Sequence, residues 1–162
     1  MVDGSGTKGA ALPPAQAVVE ARPTRAGVAK RLQVGALPFR ATPTGALEIL
    51  LITSRETSRF IIPKGWPMKR LTDAAAAARE AYEEAGVSGK LRRQPIGAYL
   101  YRKRVAGRFE TIKVTVYALE VQVQHEEWPE KGARQLRWVS REEAATLVDE
   151  PGLIKLINEF EL

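Results

Sequence analysis

Three glutamates, Glu80, Glu83 and Glu84, lie within five residues of one another in the segment DAAAAAREAYEEAG. Placed on a helix at 3.6 residues per turn, they occupy one arc of about 100°. Like charges at such spacings cost an isolated helix roughly 0.2–0.5 kcal/mol per pair. Arg79 can relieve part of that cost by pairing with Glu83 one turn on. A divalent cation would relieve more, because hard carboxylate oxygens are the ligands that Mg²⁺ favours. A solvated acidic face is the competing reading of the same three residues. Cys is absent and His125 is the single histidine, which excludes thiolate sites, disulfides and multi-histidine zinc sites. An enzymatic metal would therefore rest on oxygen ligands.

The acidic arc needs a helix, and its ends are marked. Thr72 is a natural N-cap, Asp73 complements the positive helix end, and Gly86 is a natural stop, so a helix is expected over residues 73–85. Ala74, Ala78, Ala81 and Ala85 fall together on a second arc, expected to pack on a sheet while the carboxylates face out. Before the helix, residues 32–39 and 47–53 read as strands joined by a turn over residues 42–45, and residues 59–62 as a short strand closed by Pro63. Residues 64–71 form a loop. After the helix, residues 91–105 and 109–123 read as long strands joined at Ala106–Gly107, residues 135–139 as another strand, and residues 141–148 and 152–160 as helices. This order predicts an α/β fold with a mixed sheet covered by helices. Residues 1–31 carry Gly and Pro without sustained periodicity and read as a flexible tail, leaving residues 32–162 as one domain. No apolar run approaches the ~20 residues of a membrane span, and no secretory signal is evident, so a cytoplasmic location is expected.

The formal charge is +6, which suits anionic partners without choosing among them. Its distribution says more. Residues 90–113 contain eight Lys or Arg and a single acid, Glu110, a local charge of +7. Lys64, Lys69 and Arg70 add three cations just before the helix. Such residues can clamp phosphates, with Arg102, Arg104 and Lys113 the candidates in the hairpin. Strand alternation puts Arg102 and Arg104 on one side and Lys103 on the other. Nucleic acid is the weaker reading, since aromatics are only 7% and no recognition module is evident. His125 reads as a surface or structural residue, Trp138 as core, Trp128 as a loop anchor, and Trp66 as packing or ligand cover.

The spacing of Gly65, Arg79-Glu80, Glu83-Glu84, Gly86 and Val87 resembles the Nudix box, G-x5-E-x7-R-E-U-x-E-E-x-G-U. Ala81 is small for its aliphatic position, and Leu71 stands where the box has its first Glu. The RFIIPKGW and LRWVS segments also look Nudix-like, so the resemblance extends over about residues 32–160. It implies a Nudix-type α/β/α sandwich and a hydrolase of diphosphate linkages using Mg²⁺ or Mn²⁺. By the same resemblance, Glu80, Glu83 and Glu84 would bind the metal, with the Gly65 carbonyl as a further ligand and Arg79 orienting the glutamates. A general base on a later loop is implied, with Glu126, Glu127 and Glu130 as candidates. FIIPKGW, AREAYEEAGVSGKL and the basic hairpin are similar to the diphosphoinositol polyphosphate phosphohydrolase branch, implying diphosphoinositol polyphosphates or dinucleoside polyphosphates as substrates. Other substrates in the family, namely ADP-ribose, nucleoside triphosphates and 5′-triphosphate RNA, are the alternatives, as is a ligand sensor without turnover. A homodimer is compatible with the resemblance.

Overall fold

A computed structural model of the chain describes residues 31–162. The tail read over residues 1–31 lies outside the described residues except for Arg31, which is the first residue of a strand. The elements in chain order are β1 (Arg31–Ala41), β2 (Leu47–Thr53), β3 (Phe60–Ile61), β4 (Lys64–Gly65), α1 (Asp73–Ala85), β5 (Val87–Leu91), β6 (Gly97–Val105), β7 (Arg108–Gln124), β8 (Leu136–Ser140), α2 (Arg141–Leu147) and α3 (Pro151–Glu159).

The strands form one mixed sheet with central order β3-β2-β1-β7-β5; β4 pairs with β1, β6 with β7, and β8 with β2. The β1–β7 pairing is parallel, from Arg31 opposite Ile112 to Phe39 opposite Glu120, and every other pairing is antiparallel. Strand β1 changes partners along one edge, pairing with β2 through residues 39–41 and with β4 at Val34 and Gly35. The change of partner opens the sheet beside β4, and the functional cleft lies there.

Each face of the sheet carries its own core. Leu37, Phe39, Ile49, Ile112 and Val116 face Ala144, Val148, Leu153, Ile157 and Phe160 of the C-terminal helical segment. Val34, Ala36, Leu50, Tyr117 and Leu119 face the alanines of α1. The architecture is the expected sandwich, one helix on one face and two on the other.

Two expectations about the strands are corrected. The strand read over residues 91–105 is two strands, β5 and β6, separated around Pro95, which has no N–H for a ladder. The loop expected from Lys64 begins instead with the two-residue strand β4, held by backbone pairing to β1. The Ala106–Gly107 turn is as expected, with both residues at positive φ (49° and 81°), as a two-residue hairpin of this twist requires.

Candidate functional site

Helix α1 is fixed at both ends by local chemistry. The Thr72 hydroxyl accepts a hydrogen bond from the Ala75 N–H at 3.1 Å. At the other end Gly86 sits at φ 68° and its N–H donates to the Tyr82 carbonyl. The Trp128 ring lies where a Gly86 Cβ would be.

Between these ends the buried side chains are Ala74, Ala76, Ala77, Ala81, Glu84 and Ala85. The outward-facing carboxylate arc is therefore corrected. The packed face is rotated toward Glu84, which is only 5% exposed, whereas Ala78 is half-buried. Methyl-sized side chains let α1 lie close to β1, and this brings the carboxylates into the sheet opening rather than out to water.

Gly65 and Glu80 meet there. A Cβ on Gly65 would overlap the Glu80 carboxylate, so glycine at this strand position makes room for it. Glu84 Oε2 is buried without a hydrogen-bond partner. The nearest cation is Arg134, whose Nη2 lies 3.8 Å from Glu84 Oε2 and 3.5 Å from Glu130 Oε1. Arg134 is itself about nine-tenths buried, and its Nη1 donates to the Thr53 carbonyl at 3.0 Å.

The site is short of positive charge. Burial pushes the Glu84 carboxyl up to about 8, against the pull of Arg134 and with the aid of neighbouring Glu80. Burial raises Glu80 as well, opposed by the neighbouring Glu84 carboxyl and reinforced by the charges of Glu83 and Glu130. Lys64 is lowered by burial, with Glu84 and Glu150 opposing that loss of charge. Glu83 turns to Arg79, accepting a hydrogen bond from its Nε at 3.0 Å. Among the described residues, no group of three carboxylate or imidazole side chains converges on one metal-sized point. Glu80 and Glu84 share the opening, and Glu83 stays with Arg79.

A cavity of about 630 Å³ occupies the opening, with Gly65, Glu80 and Glu84 in its wall. Lys64, Arg102 and Arg104 also line it, together with Lys103. As alternation predicts, Arg102 and Arg104 share Phe109, with guanidinium carbons 4.7 and 6.0 Å from its ring centre, while Lys103 lies 5.4 Å from that of Trp66. Both sides of the hairpin nevertheless contribute to the cavity wall.

Several expected residues lie outside the cavity wall, Arg79, Glu83 and Glu130 among them. Lys69, Arg70 and Lys113 are exposed and outside the cavity wall. So are Glu126 and Glu127; Glu127 is 86% exposed and pairs with Lys131 at 3.0 Å. Their loop is pinned at the end of α1, with Trp128 over Gly86, the His125 N–H donating to the Gly86 carbonyl, and the Glu130 N–H donating to the Glu83 carbonyl. Glu130 is half-buried against Arg134 and Arg55. His125 bonds Ser88 Oγ at 2.9 Å and packs edge-on against Tyr82, so its role is structural.

Among the wall residues not singled out from sequence are Gln33, Arg59, Tyr101 and Arg134. Tyr101 donates to Gln33 Oε1 at 2.7 Å. Gln33 and Tyr101 lie 68 residues apart, and Arg134 and Thr53 81, so no local spacing marks these meetings.

The family described as NUDIX domain matches residues 29–160. Nudix hydrolase 12, mitochondrial, of Arabidopsis thaliana is 31% identical over 146 residues, covering 80% of this chain and 72% of that protein. Nudix hydrolase 13, mitochondrial, of the same plant is 31% identical over 147 residues, covering 80% and 73%. In overall fold the chain is similar to the crystal structure of C. elegans Ap4A hydrolase, with a TM-score of 0.56 at 21% identity over 80% of this chain and 94% of that one. With the box residues Gly65, Glu80 and Glu84 gathered at one cleft, the chain belongs to the Nudix family and is a hydrolase of phosphoanhydride bonds.

Proposed function

We propose that this hydrolase cleaves a diphosphate linkage in a polyphosphorylated small molecule, a diphosphoinositol polyphosphate or a dinucleoside polyphosphate, with Mg²⁺ or Mn²⁺. One observation carries the reading: a single cavity has Glu80 and Glu84 in its wall together with Lys64, Arg102, Lys103 and Arg104. Carboxylates alone would repel a polyphosphate, and cations alone would bind it without reaction.

The residues fit a divalent ion. Glu84 Oε2 lacks a partner, two neighbouring carboxyls are held against ionisation by burial, and Gly65 leaves room for the Glu80 carboxylate. Glu80, Glu84 and the Gly65 carbonyl would hold the ion, with Glu83 next along α1 and paired to Arg79. A bound ion of this kind neutralises charge on phosphate oxygens and acidifies water.

The remaining work belongs to the chain. Arg79 orients Glu83 through their ion pair. Lys64 and the hairpin cations bind the flanking phosphates and hold the scissile linkage near the carboxylates. A carboxylate of the cleft that the ion leaves free would accept the proton of the attacking water; of the loop candidates, Glu126 and Glu127 are exposed outside the cavity wall and Glu130 is held against Arg134.

The test is turnover with Mg²⁺ on diphosphoinositol polyphosphates, dinucleoside polyphosphates, nucleoside triphosphates, ADP-ribose and triphosphorylated RNA. The fold shared with an Ap4A hydrolase is a further reason to include the second class. The first two classes are expected to be the best substrates, and inositol hexakisphosphate is expected to inhibit at lower concentration than ADP-ribose. Loss of ~3 kcal/mol of charge stabilisation corresponds to about a hundredfold in rate, the fall expected for Glu83→Gln or Glu84→Gln. Preference for ADP-ribose, or unchanged turnover in both variants, overturns the reading.

A further inference from the structure

Arg59 enters the cavity wall from just before β3, and two of its three guanidinium nitrogens are occupied. Its Nε donates to Thr57 Oγ1 at 3.0 Å. Its Nη1 lies 3.4 Å from Glu150 Oε1 and 3.6 Å from Asp149 Oδ2. Among the described residues Nη2 makes no hydrogen bond, which leaves a charged donor free in a cavity that has six other cations in its wall.

Glu150 is the unusual member of this pair. It is 3% exposed, and a buried carboxylate is unfavourable unless it is paired. It stands at the N-cap position of α3, yet its side chain caps nothing. Its Oε2 is buried without a partner. Asp149, next to it and half in water, already offers Arg59 an ion pair at the surface. A second, buried carboxylate adds a fixed anchor from within, holding a side chain of many rotamers in one direction. Its charge also opposes the loss of the Lys64 charge. The α3 end of the fold therefore supplies negative charge behind the cationic side of the cleft.

We propose that Arg59 is a phosphate-binding residue of the cleft and that Glu150 is its positioning residue. The inference rests on the polyphosphate chemistry proposed above. A charge-assisted hydrogen bond of ~1.5–3 kcal/mol corresponds to about tenfold to a hundredfold in affinity. Neither residue touches the reacting linkage, so their loss is expected in KM rather than in kcat.

Binding of inorganic tripolyphosphate, followed by titration calorimetry, tests the clamp whichever substrate the panel favours. Arg59→Gln is expected to weaken binding by about tenfold or more, and Arg59→Lys by less. Glu150→Gln is expected to weaken it in the same direction, and the double variant to be no weaker than Arg59→Gln alone. If Glu150→Gln does not fold, Glu150→Asp takes its place, with an intermediate loss expected from the shorter side chain. With diadenosine tetraphosphate or a diphosphoinositol polyphosphate, whichever is turned over, the same variants should raise KM and leave kcat within about threefold. Unchanged tripolyphosphate binding in Arg59→Gln overturns the clamp. Additive losses in the double variant, or a fall in kcat with KM unchanged, overturn the positioning role. If neither compound is turned over, the functional reading fails while tripolyphosphate still decides the clamp.

Discussion

Glu84 shows what a carboxylate gains and loses when a helix of alanines carries it inward. Its ordinary value of 4.5 is displaced up to about 8 by burial, so the metal-free fold favours the protonated form. The sign follows directly. The stability associated with protonated Glu84 is fully present below about 4.5, declines as pH rises, and is gone above about 8. In EDTA, thermal unfolding followed by circular dichroism is therefore expected to move down by several degrees between those limits, since about 1 kcal/mol shifts the midpoint by ~2–8 °C in domains of this size. Glu84→Gln should flatten that slope, and Mg²⁺ should restore stability at the alkaline end. A wild-type midpoint that rises with pH in EDTA would contradict the assignment. The spacing of the three glutamates was legible in sequence because it repeats with the helix. The direction in which they face was not, because alanine is compatible with both a packed and an exposed surface, and only the close approach of β1 decides. Arg134 was illegible for a related reason: its meaning lies in Thr53 and Glu84, which sequence does not place beside it.

At the scale of elements, α1 was read to the residue, Asp73 to Ala85. Its caps are side-chain chemistry acting over three or four positions, which a sequence displays openly. Strand β4 is the opposite case. Two residues have no period, and Lys64–Gly65 is a strand only because β1 runs past it. Strand β5 likewise begins at Val87 through pairing with β7, although Ser88, Gly89 and Lys90 carry little strand propensity. The short strand β4 matters beyond its length, because Gly65 is where it admits the Glu80 carboxylate. Gly65→Ala is expected to keep the fold, since the backbone pairing to Val34 is unaffected, while displacing Glu80. Mn²⁺ affinity measured by titration calorimetry should fall by about tenfold or more. Wild-type affinity in this variant would show that the close approach has no bearing on the ion.

For the whole molecule, the charge of +6 is less informative than its arrangement about one cavity. Cations in a cleft wall draw polyanions by field as well as by contact. Raising NaCl from about 0.1 M to about 1 M shortens the screening length from ~10 Å to ~3 Å. KM for the preferred polyphosphate should rise steeply over that range while kcat changes little; a flat KM would mean that the cleft cations do not meet the substrate. The layered fold was legible because alternating and helical periods follow one another in order, but the parallel β1–β7 pairing was not, since it joins segments some eighty residues apart. That pairing has a consequence for how the protein is made. β1 is synthesised before its full-length neighbour, which follows only after roughly eighty more residues, about 4–16 s at ordinary rates of synthesis. During that interval LQVGALPF and LEILLIT can pair with each other and with the short strands β4 and β3, and α1 can cover one face. The newborn chain therefore passes through a stage in which the β7 side of β1 is an open strand edge.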